Sequence, residues 1–335
     1  MKLKRFTTLL AVLAILFSLA ACNTPAEQVT IPTTTADESA LFSSDFDPEL
    51  RQYCSPWTHD VAAEAVADGK IHYYFMSSKG MLMYKTEKDP YKWGDSALIV
   101  FPNGQTMLVD TGMSPYMPVL VENLRRMGIT KLDYLLVSHP HGDHCHGLTR
   151  KDSFFKYISV DKLLWSGVNV ENVSGTLVTR CQAYGVPMQV VKKGDSLQIG
   201  EVSMTILWPL EGAEGTQYET TEEVNNSSIV ARFDYEEHSS LFVGDLYVSG
   251  EEQVLELYSS ELKSDLLKVP HHGYETSSST LFAYKVKPEV AVAMGAYRAP
   301  IENKYKSIGS TYLNDKLHGY IHVSSDGNEM TYEHQ

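Results

Sequence analysis

The sequence predicts an α/β layered fold in a single domain, and two observations carry that expectation. Short strand-like apolar runs alternate with stretches of helical spacing. Three clusters of metal-capable residues, at 139–147, 244–245 and 271–272, each fall where a strand-like run ends, which is where layered α/β folds place their sites. Composition agrees: with 43% hydrophobic and 21% charged residues over 335 positions, the chain has material for a large core.

The first 22 residues stand apart. "MKLKR" is a basic start, and "FTTLLAVLAILFSLAA" is an apolar run too short to span a bilayer comfortably. It ends in "LAAC" (19–22), which resembles the lipobox of bacterial lipoproteins. That resemblance implies cleavage before Cys22, lipidation of Cys22, and a membrane-anchored protein on the extracytoplasmic face. Removing residues 1–21 takes away Lys2, Lys4 and Arg5 and no acid, so the net charge moves from −14 to −17. Such a surface disfavours a long polyanion such as nucleic acid as substrate. Residues 23–45, rich in Thr, Ser and Pro, read as a tether inside a lead-in that runs to residue 69. The domain itself is expected over 70–335. The remaining Cys54, Cys145 and Cys181 are an odd number, which argues against a disulfide framework.

Within the domain, strands are expected at 70–76, 80–86, 96–102 and 105–110, the last two joined by the turn "PNG". A helix follows over 115–128, ending at a glycine. Strand 132–137 then delivers "VSHPHGDHCHGL" (137–148). Further strands are expected at 162–165, 188–191, 203–208, 227–234, 239–243, 265–269 and 289–293. Helices are expected near 172–184 and at 247–258 and 278–285. Nothing in loop 209–224 beyond its glycines and acids says whether it covers a site.

Four histidines and an aspartate within eight positions suit metal binding far better than surface decoration. A tight loop, with Gly142 supplying an unusual backbone angle, would gather them. His139 and His141 would face one ion, and Asp143 and His144 a second. Asp245 would bridge the two and His272 would complete the second set. Imidazole and carboxylate suit Zn²⁺ first, with Mn²⁺ as the alternative. Two ions lower the pKa of a bridging water toward neutrality, giving a hydroxide that attacks without a protein nucleophile. Asp143 or His271 would protonate the leaving group. His272 is favoured as the ligand, and His271 as an acid or a phosphate contact.

"HPHGDH" with "DTG" (110–112), "GD" (244–245) and a late histidine resembles the metallo-β-lactamase superfamily. Within it, "WGDSALIVFPNGQTMLVDTG", "NNSSIVARF", "SLFVGD" and "LLKVPHHG" resemble the hydrolase domain of the bacterial DNA-competence channel protein (ComEC type). The resemblance implies a four-layer αββα sandwich with its site at one edge, and a role for Asp110 in orienting the histidine-rich loop. No histidine lies between His146 and His238; Asn225–Asn226 stand where many members supply a further ligand, as a metal or substrate contact. An oxygen donor there weighs toward Mn²⁺ and against a β-lactamase.

The function so implied is a lipid-anchored di-metal phosphodiesterase acting on a small-molecule or cell-surface phosphoester. Lactone, thioester or β-lactam hydrolysis on the same fold is the alternative, as is an inactive metal-binding module. Arg298, Lys304 and Lys306 are candidates for a phosphate contact, and Trp57, Trp93, Tyr274 and Tyr297 for a choline cage.

Overall fold

Along Ile71–Phe75 (β1), every second side chain goes to a different core. Ile71, Tyr73 and Phe75 enter one apolar cluster and Tyr74 enters another, because successive strand residues point to opposite faces. A strand buried on both faces implies layers on both sides. The computed structural model, which describes residues 43–77, 94–259, 261–295 and 297–335, shows those layers.

Helix Val61–Asp68 (α1) precedes β1. Then come Ala97–Val100 (β2), Thr106–Val109 (β3), Met117–Arg126 (α2), Lys131–Leu136 (β4), Gly142–Thr149 (α3), Ser159–Trp165 (β5), Asn169–Val170 (β6), Ser174–Tyr184 (α4) and Met188–Val190 (β7). The second half holds Ser196–Ile199 (β8), Val202–Trp208 (β9), Gln217–Tyr218 (β10), Thr221–Asn226 (α5), Val230–Tyr235 (β11), His238–Phe242 (β12), Val248–Tyr258 (α6) and Leu266–Lys268 (β13). Thr280–Val286 (α7), Val290–Ala293 (β14), Ala299–Ser307 (α8), Thr311–Asn314 (β15), Asp315–His318 (α9), Ile321–Ser325 (β16) and Met330–His334 (β17) complete it.

The described residues form an eight-stranded sheet, ordered β17-β16-β1-β2-β3-β4-β5-β7, and a seven-stranded sheet, ordered β15-β14-β13-β12-β11-β9-β8. Three apolar clusters separate four layers. One, with Ile99, Met107, Phe233 and Phe242, lies between the sheets. A second packs α1, α2 and α4 on the first sheet through Val61, Leu120, Leu124 and Leu177. The third packs α6, α7 and α8 on the second sheet through Val254, Phe282 and Tyr305. This is the αββα sandwich.

In each sheet one strand marks a change from antiparallel to parallel pairing. β3 is antiparallel to β2 and parallel to β4; β12 is antiparallel to β11 and parallel to β13. The C-terminal ends of β3, β4, β12, β13 and β14, with the N-terminal end of β2, therefore meet along one edge. Open α/β sheets hold their sites at such switch points.

Several expectations need correction. The body begins upstream of residue 70, since Leu50, Trp57, Val61 and Ala65 are buried in the first sheet's helical layer. Strand 227–234 starts only at Val230, because 221–226 is a helix, closed by a capping box between Thr220 and Glu223 that occupies the end of the 209–224 segment. The Cys22 lipobox, the 80–86 strand and Trp93 lie outside the described residues. Cys54, Cys145 and Cys181 are free thiols. No helix among the described residues is long and apolar enough to cross a membrane.

Candidate metal centre

The histidine-rich motif is half loop and half helix, not one tight loop. Residues 137–141 form a bent loop after β4, extended at His141, and Gly142 starts α3, so Asp143 and His144 lie in its first turn. Gly142 does not adopt a left-handed angle. It is needed for room, because a Cβ there would meet the His146 ring at 2.6 Å. α3 is tied to the "DTG" turn: Thr111 N donates to His144 O at 2.7 Å and Gly147 N to Gly112 O at 3.1 Å.

Four imidazoles converge on one carboxylate oxygen. From Asp245 Oδ2, Nε2 lies 2.9 Å away on His272 and 3.1 Å on His144. Nε2 of His139 is at 3.9 Å and that of His271 at 4.0 Å. His139 Nε2 and His141 Nδ1 are 3.1 Å apart, a separation open to two ligands that each sit about 2.0–2.1 Å from one ion. Asp143 Oδ2 stands 3.3 Å from His272 Nε2, and its Oδ1 stands 3.9 Å from His144 Nε2. The edge thus brings together all six residues expected as ligands.

Two carboxylates fix which nitrogens face inward. Asp110, at the end of β3 with a left-handed φ of 62°, accepts from Ser138 N at 2.8 Å and Ser138 Oγ at 2.7 Å, and pairs with His144 Nδ1 at 2.8 Å. Asp95 does the same for His272, with Oδ1 2.9 Å from Nδ1. Sequence reasoning missed Asp95. It lies two residues before β2, and only the antiparallel pairing with β3 brings it to this edge. Lys268 was also missed, although a lysine inside "LLKV" was a visible signal; its Nζ contacts Asp95 Oδ2 and Gly244 O.

The His271–His272 pair sits on strained backbone, with φ of 46° and 56°. That places both rings at the site with different surroundings. His272 is buried and held by Asp95 and Met294 O. His271 is packed by the rings of Tyr247 and Tyr274, and its Nδ1 bonds Thr276. Burial, helped by the neighbouring His272, holds its pKa down to about 4. A neutral imidazole suits the contact role, one of the two expected for it. For Asp143, His272 and His144 hold the carboxyl below the usual range despite burial.

Burial also keeps His139 and His141 below the ordinary imidazole value. For His144, burial is overridden by Asp245 and Asp110; for His272, by Asp245 and Asp95, and both values rise well above the usual one. So many buried carboxylates call for positive charge at this place, as protons or as ions.

The two asparagines separate. Asn226 is structural: Oδ1 accepts from Tyr247 N at 3.0 Å and Nδ2 donates to Ser249 Oγ at 2.9 Å. Asn225 is buried against His141, and its Oδ1 has no partner other than that ring among the described residues. A buried amide oxygen left this way, next to two neutral imidazoles, is suited to an ion. The donor set therefore fits divalent metal. Ligand atoms of Asp95, His144, Asp245 and His272 all lie within 4.8 Å of one another. Asp95 is already engaged by His272 and Lys268, which leaves Asp143 as the freer carboxylate.

At the rim, the Arg298 guanidinium lies 4.8 Å from the Tyr274 ring centroid, with no carboxylate within 4 Å among the described residues. Lys304 is bonded to Ser278 O, and Lys306 pairs with Glu302 at 2.6 Å, so neither serves the site. Trp57 packs on Tyr74 and Tyr320 in the first sheet's helical layer, and Tyr297 bonds Glu302, so no choline cage of the expected composition forms.

Residues 93–150, which carry the histidine-rich motif, match the family model described as the metallo-beta-lactamase superfamily. Among its relatives, the chain is 29% identical over 175 residues to ComE operon protein 3 of Bacillus subtilis, covering 52% of this chain and 21% of that one. It is 26% identical over 267 residues to Competence protein ComA of Neisseria gonorrhoeae, covering 72% and 34%. The chain is thus similar to part of these competence proteins, and it spans about a fifth to a third of their length. A solved metallo-beta-lactamase fold protein, YhfI of Bacillus subtilis, aligns over 73% of this chain and 95% of that one at 13% identity and a TM-score of 0.46.

Proposed function

We propose that the chain is a hydrolase of phosphodiesters that holds two divalent ions, Zn²⁺ or Mn²⁺, at the edge of the sandwich, and that Cys22 anchors it by lipid on the extracytoplasmic side. The observation that carries the reading is the convergence of imidazoles on Asp245 Oδ2, with His272 and His144 at 2.9 and 3.1 Å and His139 at 3.9 Å. On this reading His139, His141 and Asn225 would serve one ion, and Asp143, His144 and His272 the other, with His139 Nε2 and His141 Nδ1 3.1 Å apart. Two ions held there would polarise a phosphoryl or carbonyl oxygen and bring a bound water's pKa toward neutrality. The chain's own part is to aim the ligand nitrogens, through Asp110 and Asp95 on Nδ1 of His144 and His272, and to receive the substrate beside His271.

Arg298 favours an anionic substrate. In a strongly acidic protein, an arginine over the ring of Tyr274, next to His271, gives an anion an attractive charge near the site. Asn225, in place of a third imidazole, weighs against a lactam. The acidic surface suits a small phosphodiester or a cell-surface one better than long nucleic acid.

The test uses the full chain, stripped with chelator and reloaded with Zn²⁺ or Mn²⁺, on bis-p-nitrophenyl phosphate, p-nitrophenyl phosphorylcholine and nitrocefin. Metal-dependent diester turnover that Asp245→Ala abolishes is expected. Nitrocefin turnover alone would move the protein to the lactam-cleaving side. Loaded protein cleaving none of the three would favour a metal-binding module. Labelling with radioactive lipid, lost in Cys22→Ala, tests the anchor.

A further inference from the structure

We propose that Lys268 is a fixed internal cation that commits Asp245 to presenting a single oxygen, Oδ2, to both ligand groups. The inference rests on reading the cluster as a metal centre. Lys268 ends β13, and its side chain is 5% exposed. Its ammonium reaches three acceptors: Asp95 Oδ2 by direct contact, Gly244 O at 3.2 Å and Asp245 Oδ1 at 3.6 Å. The contact with Asp245 Oδ1 is an ion pair longer than a hydrogen bond, so this buried charge is balanced by two carboxylates and a carbonyl.

The two oxygens of Asp245 are thereby divided. Oδ1 faces the ammonium, and Oδ2 faces four imidazoles at 2.9–4.0 Å. A carboxylate turns easily about its last torsion, where the energy wells are broad and two-fold. Free to turn, Asp245 could offer one oxygen to each ligand group and let the groups spread. An ammonium charge 3.6 Å from Oδ1 biases that torsion against turning. The same charge takes Asp95 Oδ2 and leaves Oδ1 for His272 Nδ1, so one lysine orients the shared carboxylate and the carboxylate behind a ligand histidine. Lys268 is a positioning residue.

The proposal has a sign that charge alone would reverse. A cation this near repels divalent ions, so deleting it should tighten metal binding if only Coulomb's law acted. Loss of positioning should weaken it. The experiment is Lys268→Met in the full chain, which keeps the bulk and removes the charge. Affinity for each equivalent of Zn²⁺ and Mn²⁺ is read by chelator competition, and Mn²⁺ pairs are read by electron paramagnetic resonance.

We expect the second equivalent to weaken by about tenfold or more, with loss of the coupled-pair spectrum. Unchanged or tighter binding overturns the proposal, as does a variant that merely melts earlier with both affinities intact. Should Lys268→Met fold poorly, Lys268→Ala with added ethylammonium serves: affinity restored by the amine supports the role, and no restoration overturns it. Wild-type protein that retains no ion would overturn the metal-centre reading together with this one, whereas a wild type that binds two ions beside an unaffected variant overturns Lys268 alone.

Discussion

Asp95 Oδ1 lies 2.9 Å from Nδ1 of His272, matching the 2.8 Å relation of Asp110 Oδ2 to Nδ1 of His144. Both aspartates flank the β2–β3 hairpin of the first sheet, while His144 follows β4 and His272 follows β13 of the second sheet, yet the pairs do the same thing. Each fixes the tautomer and turns Nε2 toward Asp245. Losing such a partner typically costs metal affinity about 10–100-fold. Asp95→Ala should therefore weaken retention of the ion bound by His272 in that range, while leaving the ion bound by His139 and His141. Chelator competition with a chromogenic dye would separate the two sites. Equal loss at both would show that Asp95 acts on the fold and not on His272.

Metal and protons compete at this cluster, and the direction follows from the histidines. Asp245 with Asp110 lifts His144, and Asp245 with Asp95 lifts His272, both against the effect of burial. A raised native pKa stabilises the metal-free fold fully below the unfolded value of about 6.5, and that stability is lost as pH rises through the native value. Metal-free protein should melt at lower temperature as pH climbs above neutrality. Loaded protein should do the opposite from about pH 5 to 7, because its ligands must stay deprotonated while the unfolded chain takes up protons. Thermal melts with chelator and with Zn²⁺ across this range decide it; parallel slopes in the two states would sink the argument.

Asn225 and Asn226 are neighbours with separable tasks. Asn226→Ala removes the acceptor for Tyr247 N and the donor to Ser249, so it should cost about 1–3 kcal/mol of stability with metal affinity unchanged. Asn225→Ala removes an oxygen whose one side-chain partner among the described residues is His141, so stability should fall less than in Asn226→Ala. The ion beside His139 and His141 should then bind less tightly, Mn²⁺ more affected than Zn²⁺ since the lost donor is an oxygen. Denaturant melts alongside metal titrations make the comparison. The opposite assignment of effects would exchange the two roles.

Much of this was legible in the sequence because it is local. The 2-residue and 3.6-residue periodicities located most strands and helices, and "HPHGDH", "GD" and "HHG" named the six residues that meet at the edge. What escaped depends on pairing between distant segments. Asp95 becomes visible only once β2 runs antiparallel to β3, and Lys268 only once β13 lies beside β12. The choice between Asn225 and Asn226 turned on where α5 ends, since the helix aims adjacent side chains about 100° apart. Gly142 was given the wrong task because its neighbour in space, His146, lies one helical turn ahead. The strands after residue 293 lacked a strong pattern, as β17 is exposed along most of its length.

Arg298 should set substrate charge preference. Its guanidinium stands on Tyr274, whose ring centroid is 5.2 Å from that of His271. A phosphate beside His271 is within reach of such a group. Arg298→Ala should raise KM for phosphodiesters by about tenfold, roughly 1.4 kcal/mol, and leave kcat nearly unchanged, since the contact is made equally by substrate and transition state. The wild-type KM should rise with salt and the variant's should rise less. A fall in kcat with KM intact would place Arg298 in the chemical step.

Gly94 shows how backbone packing governs the site from beneath. Asp95 N donates to Asp143 O at 2.9 Å, so the segment before β2 lies directly against the first turn of α3. A Cβ on Gly94 would meet Asp143 O and Gly112 Cα, each at 2.3 Å. Both are backbone atoms that cannot swing aside. Gly94→Ala must push α3 away from the β2 edge, separating Asp143 and His144 from His272 and Asp245. Overpacking of this kind costs about 1–3 kcal/mol or more. The expected result is a protein that folds with a lowered Tm and loses the Asp143–His144–His272 ion before the ion at His139 and His141. Gly175, where a Cβ would meet nothing within 4 Å, supplies the control: Gly175→Ala should retain metal and melt at or above the wild-type temperature, because alanine favours the helix. If Gly94→Ala kept both ions and its stability, the close contact between these two segments would not be what holds the ligand sets in register.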